Sequence, residues 1–131
     1  MFAKNRDLIL RTRDFAIAIV KLWQILPQRG DAMVLGKQLL RCATSVGANY
    51  RAASHAKSKA DFWAKLKICE EEADECEYWL ELLDVCSIIP SEQLSPLRAE
   101  AHEIACILSV SARKARETVT PHRIRSTAQH P

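Results

Sequence analysis

Hydrophobic residues recur at three- and four-residue steps along four segments of the chain, and each repeat predicts one buried face of an α-helix. The first segment covers residues 7–26 and stops at Pro27 and Gly30. The second segment starts after Asp31, a good N-cap residue, and reaches residue 56. The predicted inward positions of these two helices are Leu8, Phe15, Ile19, Leu22, Leu26, Leu35, Leu39, Cys42, Val46, Asn49 and Ala53.

The third and fourth segments show the same helical repeat. The third begins with a Ser58 cap and continues to residue 86. The fourth begins at Ser91 or Ser95, with Pro96 expected in its first turn. The predicted inward positions here are Phe62, Leu66, Cys69, Ala73, Cys76, Leu80, Leu83, Leu94, Leu97, Ala101, Ile104, Leu108 and Ala115.

Four amphipathic helices joined by short loops predict an all-α fold, an antiparallel up-down-up-down four-helix bundle. The 131 residues suffice for one domain, and only 3 Gly and 5 Pro are available to build turns. We place the bundle in residues 1–117. The periodicity stops at residue 118, so residues 118–131 are predicted to form a disordered polar tail.

The second half of helix 1 is apolar on more than one face. Ile17, Val20, Trp23 and Ile25 lie off the main stripe, although a surface helix of a monomer normally has one wet side. Either these side chains are buried deep within one bundle, or they pack on another subunit. We favour the second interpretation and expect a homo-oligomer.

The sequence contains none of the local motifs that would indicate catalysis or a bound metal. No Glu stands three residues before any of the four His, so the Glu-x-x-His pattern of di-iron bundles is absent. The chain also lacks a Cys-x-x-Cys pair and a glycine-rich phosphate loop. Cys69 and Cys76 share the predicted core stripe and are interpreted as small apolar residues. We therefore expect no enzymatic activity and no cofactor.

The cysteines and the first residues indicate the compartment. Five Cys is an odd number, residues 1–14 carry charges throughout, and the longest uncharged stretch of helix 1 is the six residues 15–20. A secretory signal and a membrane span are therefore not expected. We predict a cytoplasmic protein with reduced thiols and no membrane partner.

Charge is divided into three blocks along the chain. Residues 1–60 carry a net charge of +8, residues 61–103 carry −9 and residues 104–131 carry +4. Two interpretations are open: helix 3 is solvated and paired with basic neighbours, or the charge is segregated into a surface that holds phosphates. The candidate nucleic-acid-binding residues are Arg51, Lys57, Lys59, Lys65 and Lys67.

Helix 2 carries polar residues on and beside its apolar face. Gln38, Arg41 and Ser45 flank the stripe, and Asn49 lies on it. We expect Arg41 to be buried and to pair with Glu75 or Glu72 on helix 3. A structural polar network is favoured over a ligand site. Gly47 is expected to permit the close approach of another backbone.

Residues 38–53 and 61–83 resemble the four-helix bundle family named for the 23S ribosomal RNA intervening-sequence protein. Helix 2 of that family reads roughly Gln-x-x-Arg-small-x-x-Ser-apolar-x-x-Asn, which Gln38, Arg41, Ser45 and Asn49 match. An apolar run of helix 3 closes on Glu-x-Glu, matched by Glu75 and Glu77. One departure is that residues 50–53 read Tyr-Arg-Ala-Ala, where the family has an apolar residue, Ala, Glu and Gly.

The resemblance implies a homopentamer associated with structured RNA, and the family has no established enzymatic activity. Our leading hypothesis is therefore a non-catalytic, oligomeric protein that associates with RNA or other nucleic acid. The alternative is a protein-interaction scaffold that does not bind nucleic acid itself.

Overall fold

The structure, a computed structural model, describes Phe2 and residues 7–119 and contains four helices. They are α1 (Leu8–Ile25), α2 (Gly30–Ala53), α3 (Lys59–Val85) and α4 (Ser91–Val119). The predicted all-α fold is confirmed. Helix α4 runs two residues into the segment predicted to be a tail, and residues 120–131 of that segment lie outside the described residues.

Consecutive helices run in opposite directions. In each packed pair, the contacting positions rise along one helix as they fall along the other, which gives the up-down-up-down order. The pairs are Trp23 with Gly36 and Thr12 with Gly47 for α1 and α2, Cys42 with Cys76 and Val46 with Cys69 for α2 and α3, and Asp84 with Arg98 and Glu77 with His102 for α3 and α4.

Both predicted ends of α2 were wrong, and so was the turn predicted for Pro96, whereas the start of α4 at Ser91 is one of the two predicted. Helix α2 begins at Gly30, so Asp31 lies in its first turn, where its Oδ1 accepts from the Ala32 N–H at 2.8 Å. It ends at Ala53 rather than at residue 56. Helix α4 begins at Ser91, which puts Pro96 in the second turn instead of the first. The Ser58 cap is confirmed, because its Oγ accepts from the backbone N–H of Asp61.

The core follows the predicted stripes closely. Nearly all of the predicted inward side chains are buried, while Leu8, Leu35 and Asn49 are only partly buried. Phe62 was wrongly placed inside and is 39% exposed. It lies in the first turn of α3, at the end of the bundle, where it borders an open groove.

The outer face of α1 stays exposed within one chain. Ile17, Val20 and Ile25 are 41%, 37% and 63% exposed, whereas Trp23 is partly buried against the core. Burial within a single bundle therefore does not explain the three aliphatic residues. Their packing on another subunit remains a prediction.

A buried ion pair joins α1 to α4. The guanidinium of Arg11 binds Glu100 with two hydrogen bonds, from Nε at 2.9 Å and from Nη2 at 2.6 Å. Both side chains are 3% exposed, and Nη2 also lies 3.1 Å from Glu103. The arginine that is buried is therefore Arg11, and not Arg41 as predicted from the sequence.

Gly36 and Gly47, in the interior of α2, differ in the space around them, and this predicts opposite effects of alanine. A Cβ at Gly47 would lie 3.5 Å from the Thr12 carbonyl oxygen, an ordinary contact, so small size is not required there. We expect Gly47→Ala to raise the free energy of unfolding by up to about 1 kcal/mol. A Cβ at Gly36 would overlap Leu26 Cδ1 and lie 3.3 Å from the Trp23 ring.

Gly36→Ala is therefore expected to lower stability by about 1–2 kcal/mol, because the strain of overpacking exceeds the gain in helix propensity. Urea unfolding of both variants at one protein concentration measures the difference. Equal effects of the two substitutions would contradict the packing described for α1 and α2.

None of the helices within the described residues is long and apolar enough to span a membrane.

The five cysteines are free thiols. Cys42, Cys69 and Cys76 are buried in the core, and Cys86 and Cys106 are exposed.

Candidate nucleic-acid interface

The five predicted basic residues share one end of the bundle but do not share one face. Arg51, in the last turn of α2, lines a groove against α1 together with Arg13. Lys57 and Lys59 flank the α2–α3 turn beside Phe62. Lys67 faces a third groove, between α3 and α4. The candidate residues therefore surround the end of the bundle, and they do not form the single patch that their positions in the sequence suggest.

The start of α3 is organised by Asp61, which holds two of the lysines. Its Oδ2 accepts from the backbone N–H of Lys57 at 3.1 Å, and its Oδ1 lies 2.5 Å from Lys65 Nζ. The Lys65 ammonium, helped by the Lys57 N–H, lowers the pKa of the Asp61 carboxyl. Lys65 is thus partly neutralised, whereas the side chains of Lys57 and Lys59 extend into solvent.

The basic end of the bundle also contains residues of α4, which were not among the predicted site residues. Arg113, Lys114 and Arg116 are exposed in the last turns of α4. Because α3 and α4 are antiparallel, these residues lie at the same end of the bundle as Lys59 and Lys67, and Arg113 and Arg116 line one groove with Lys67. The +4 net charge of residues 104–131 was the signal in the sequence that could have indicated these residues. Their spacing in the sequence could not show which part of α3 they face.

The opposite half of α3 is acidic. Asp74, Glu77 and Glu81 line a surface cleft with Tyr78 and Arg98. On the α3–α4 side, charge is therefore divided along the bundle between a basic end and an acidic end. A polyanion would be attracted to the first and repelled by the second.

The predicted polar network divides into two groups. Arg41 was predicted to be buried, but its side chain is 48% exposed. It does pair with both predicted partners, at 3.2 Å from Glu72 and 2.7 Å from Glu75, and its Nε donates to Gln38. This group ties α2 to α3.

The second group is local to α2. The amide nitrogen of Asn49 donates to the carbonyl oxygen and to Oγ of Ser45, both at 2.9 Å. Asn49 is partly buried, and these bonds supply polar partners for its amide within the helix.

The cluster around Arg41 also contains potential metal ligands. One ligand atom each from Cys42, Glu72 and Glu75 lies within 4.8 Å of the others. The Arg41 guanidinium already supplies positive charge there and lowers the pKa of Glu75, while burial raises the pKa of Glu72. The hydrogen bond from the Cys76 thiol to Cys42 and its burial strongly raise the pKa of Cys76. Because the Arg41 guanidinium already pairs with both carboxylates, the cluster fits a structural network better than a metal centre.

A cysteine, a histidine and a carboxylate meet on the surface of α3 and α4. His102 Nδ1 lies 2.7 Å from Glu77, and its Nε2 lies 3.6 Å from Cys106 Sγ. This order of nucleophile, base and orienting acid occurs in cysteine hydrolases. However, His102 and Cys106 lie in mid-helix, where backbone N–H groups are used in the helix and cannot stabilise an oxyanion.

Comparison with known proteins identifies the family. Residues 4–110 match the family described as 23S rRNA-intervening sequence protein. The chain belongs to this family. The resemblance based on residues 38–53 and 61–83 is thereby confirmed.

A solved structure has the same fold. It is described as the crystal structure of a protein with unknown function from the S23 ribosomal protein family, from Bacteroides thetaiotaomicron VPI-5482. That protein is 40% identical, the match covers 81% of this chain and 98% of the other, and the TM-score is 0.76. No curated protein matches the chain.

Proposed function

We propose that the chain is a non-catalytic, homo-oligomeric protein of the cytoplasm that associates with structured RNA through the basic end of its bundle. The observation that carries this proposal is the division of charge along the bundle. Lys57, Lys59 and Lys67 at the start of α3 lie at the same end as Arg113 and Arg116 of α4. Clustered cations release counterions when they bind phosphates, and this supplies affinity without base contacts.

The family description supports RNA as the polyanion. It refers to sequences that interrupt 23S ribosomal RNA, so the family's name connects it with a structured RNA. Such RNA presents loops and bulges as well as helices, and a small basic protein can contact both through phosphates.

A homo-oligomer accounts for the exposed apolar side of the bundle. Ile17, Val20 and Ile25 on α1 and Val34 on α2 remain exposed in one chain. A pentamer is the assembly that the family resemblance implies. In a ring of copies the basic ends would lie close together, and the phosphate contacts of one chain would add to those of the next.

The proposal that the protein is non-catalytic rests on the arrangement of its polar groups. Arg11 and Arg41 are each held by carboxylates, and the Cys106–His102–Glu77 cluster has no neighbouring backbone donors for a transition-state oxyanion. These groups therefore fit structural roles.

The alternative is a scaffold that binds a protein partner. It is favoured by Ile68, Tyr78 and Val85, which are 42%, 53% and 71% exposed on the otherwise acidic outer side of α3. Exposed apolar side chains among carboxylates would suit a partner that brings both apolar and basic residues.

Fluorescence anisotropy with a labelled ribosomal RNA hairpin at several salt concentrations tests the proposal. Binding should weaken with salt, with a logarithmic slope corresponding to several phosphate contacts at about 0.7–0.9 each. The absence of binding at low salt, together with recovery of a protein partner on immobilised chain, would favour the scaffold.

A further inference from the structure

A groove between the first turns of α3 and the last turns of α4 combines an aromatic ring with three cations. It is lined by Trp63, Lys67, Glu70, Ser109, Ala112, Arg113 and Arg116. Its volume is about 200 Å³, below the roughly 300 Å³ at which enclosed pockets for drug-sized ligands begin. An open groove of this size suits one planar group attached to a chain that continues into solvent.

The charges within the groove favour an anion. Lys67 Nζ lies 3.5 Å from Glu70, a loose and exposed pair that leaves the Lys67 ammonium accessible. Arg113 and Arg116 bring two further positive charges from α4, so the lining carries three cations against one carboxylate. A phosphate at this position would meet a net positive potential.

Trp63 supplies a surface for stacking. One part of its side chain packs against the core, and another part lines the groove beside Arg113. The bases of unpaired nucleotides stack on such rings regardless of their sequence, whereas paired bases are already stacked within a duplex.

The neighbouring cleft limits where the ligand can lie. Beyond Lys67 and Ser109, the space between α3 and α4 is lined by Glu71, Asp74 and Glu77. Phosphates would be repelled there, so a bound strand must leave the groove towards the basic end of the bundle and not along α3.

We propose that this groove binds an unpaired nucleotide of single-stranded RNA, with its base stacked on Trp63 and its phosphates on Lys67 and Arg113. The proposal rests on the proposed RNA association and names the part of the RNA that this site recognises. Loops and bulges of a structured RNA provide such nucleotides.

Photo-crosslinking of the unmodified full-length chain tests the site without a substitution. A 5-iodouridine oligonucleotide of about 16 residues reaches the upper end of the length that one small binding module covers. After irradiation and trypsin digestion, the crosslink is expected on residues 60–65, the peptide that contains Trp63. Crosslinks confined to the peptides of Trp23 or Trp79 would overturn the assignment.

Variants then separate stacking from charge. Trp63→Leu should raise the Kd for the single strand about tenfold. It should change the Kd for an RNA duplex by less than about twofold and leave the salt slope unchanged. Trp63→Phe, which keeps an aromatic ring, should retain most of the affinity for the single strand. Arg113→Gln should lower the salt slope by about 0.7. Lys37→Gln makes the same charge change in the first half of α2, towards the other end of the bundle, and should leave the slope unchanged.

The outcomes distinguish the two proposals. If the unmodified chain binds neither strand nor duplex, the proposed RNA association itself is wrong. If it binds RNA but Trp63→Leu and Arg113→Gln change nothing, only the groove is wrong. If circular dichroism shows that Trp63→Leu does not fold, the salt slope of Arg113→Gln and the position of the crosslink test the groove in its place. If an acidic peptide binds this groove and RNA does not, the groove is the site of a protein ligand instead.

Discussion

Replacement of Glu100 by alanine is expected to lower the free energy of unfolding by about 3–5 kcal/mol, a large fraction of the total stability of a domain of this size. The substitution leaves the Arg11 guanidinium buried, with Glu103 at 3.1 Å as its remaining described carboxylate partner. The bidentate contact with Glu100 raises the pKa of Arg11, so the arginine cannot relieve the loss by releasing its proton. Urea unfolding at a fixed protein concentration measures the effect.

Two comparisons make this prediction specific. Arg41→Ala removes an arginine with two carboxylate partners on the surface, and is expected to cost less than about 1 kcal/mol. The double variant Arg11→Met with Glu100→Leu should recover most of the lost stability, because no unpaired charge remains in the interior. A Glu100→Ala protein as stable as the Arg41→Ala protein would contradict the buried pair.

Reversal of charge at the α2–α3 turn is expected to have the largest effect on RNA binding. Lys57→Glu with Lys59→Glu should raise the Kd for the ribosomal hairpin at least about tenfold and reduce the salt slope by about 1.5, since two phosphate contacts are replaced by repulsion. The side chains of both lysines are exposed, so the fold should be retained. Anisotropy titrations over a range of salt concentrations measure both quantities.

The matched control is Lys21→Glu with Lys37→Glu. This pair changes the net charge by the same amount, and both lysines are exposed near the other end of the bundle, late in α1 and early in α2. A control as damaging as the first pair would mean that only the total charge matters, and a harmless first pair would remove the α2–α3 turn from the interface.

The fold was predictable from sequence because periodicity is a local property. The stripes through Leu39, Val46, Leu80 and Leu108 required only the repeat of a helix, and all four side chains are buried. Helix ends were less accurate, since Gly30 begins α2 where local rules expect a break, and Pro96 lies in the second turn of α4 where they expect a helix start.

Features that depend on distant residues could not be predicted in the same way. Arg11 and Glu100 are 89 positions apart, and nothing near either residue marks it as buried. The partners of Arg41 were predicted correctly because an arginine beside the apolar face of α2 needs a carboxylate, and α3 offers Glu72 and Glu75. Its exposure was not predicted.

The candidate site shows the same division. The lysines of the α2–α3 turn are close in sequence, so their clustering was predictable. Trp63 and Arg113 come together only because α3 and α4 pack antiparallel, and Arg51 is separated from Lys67 because the two side chains line different grooves.

The measurement that tests the central claim most directly is size-exclusion chromatography with light scattering and absorbance at 260 and 280 nm on gently purified protein. The account predicts a mass of several chains, with five as the expected number, and an excess of 260 nm absorbance that ribonuclease removes. A monomer without nucleic acid would contradict both the assembly and the RNA association.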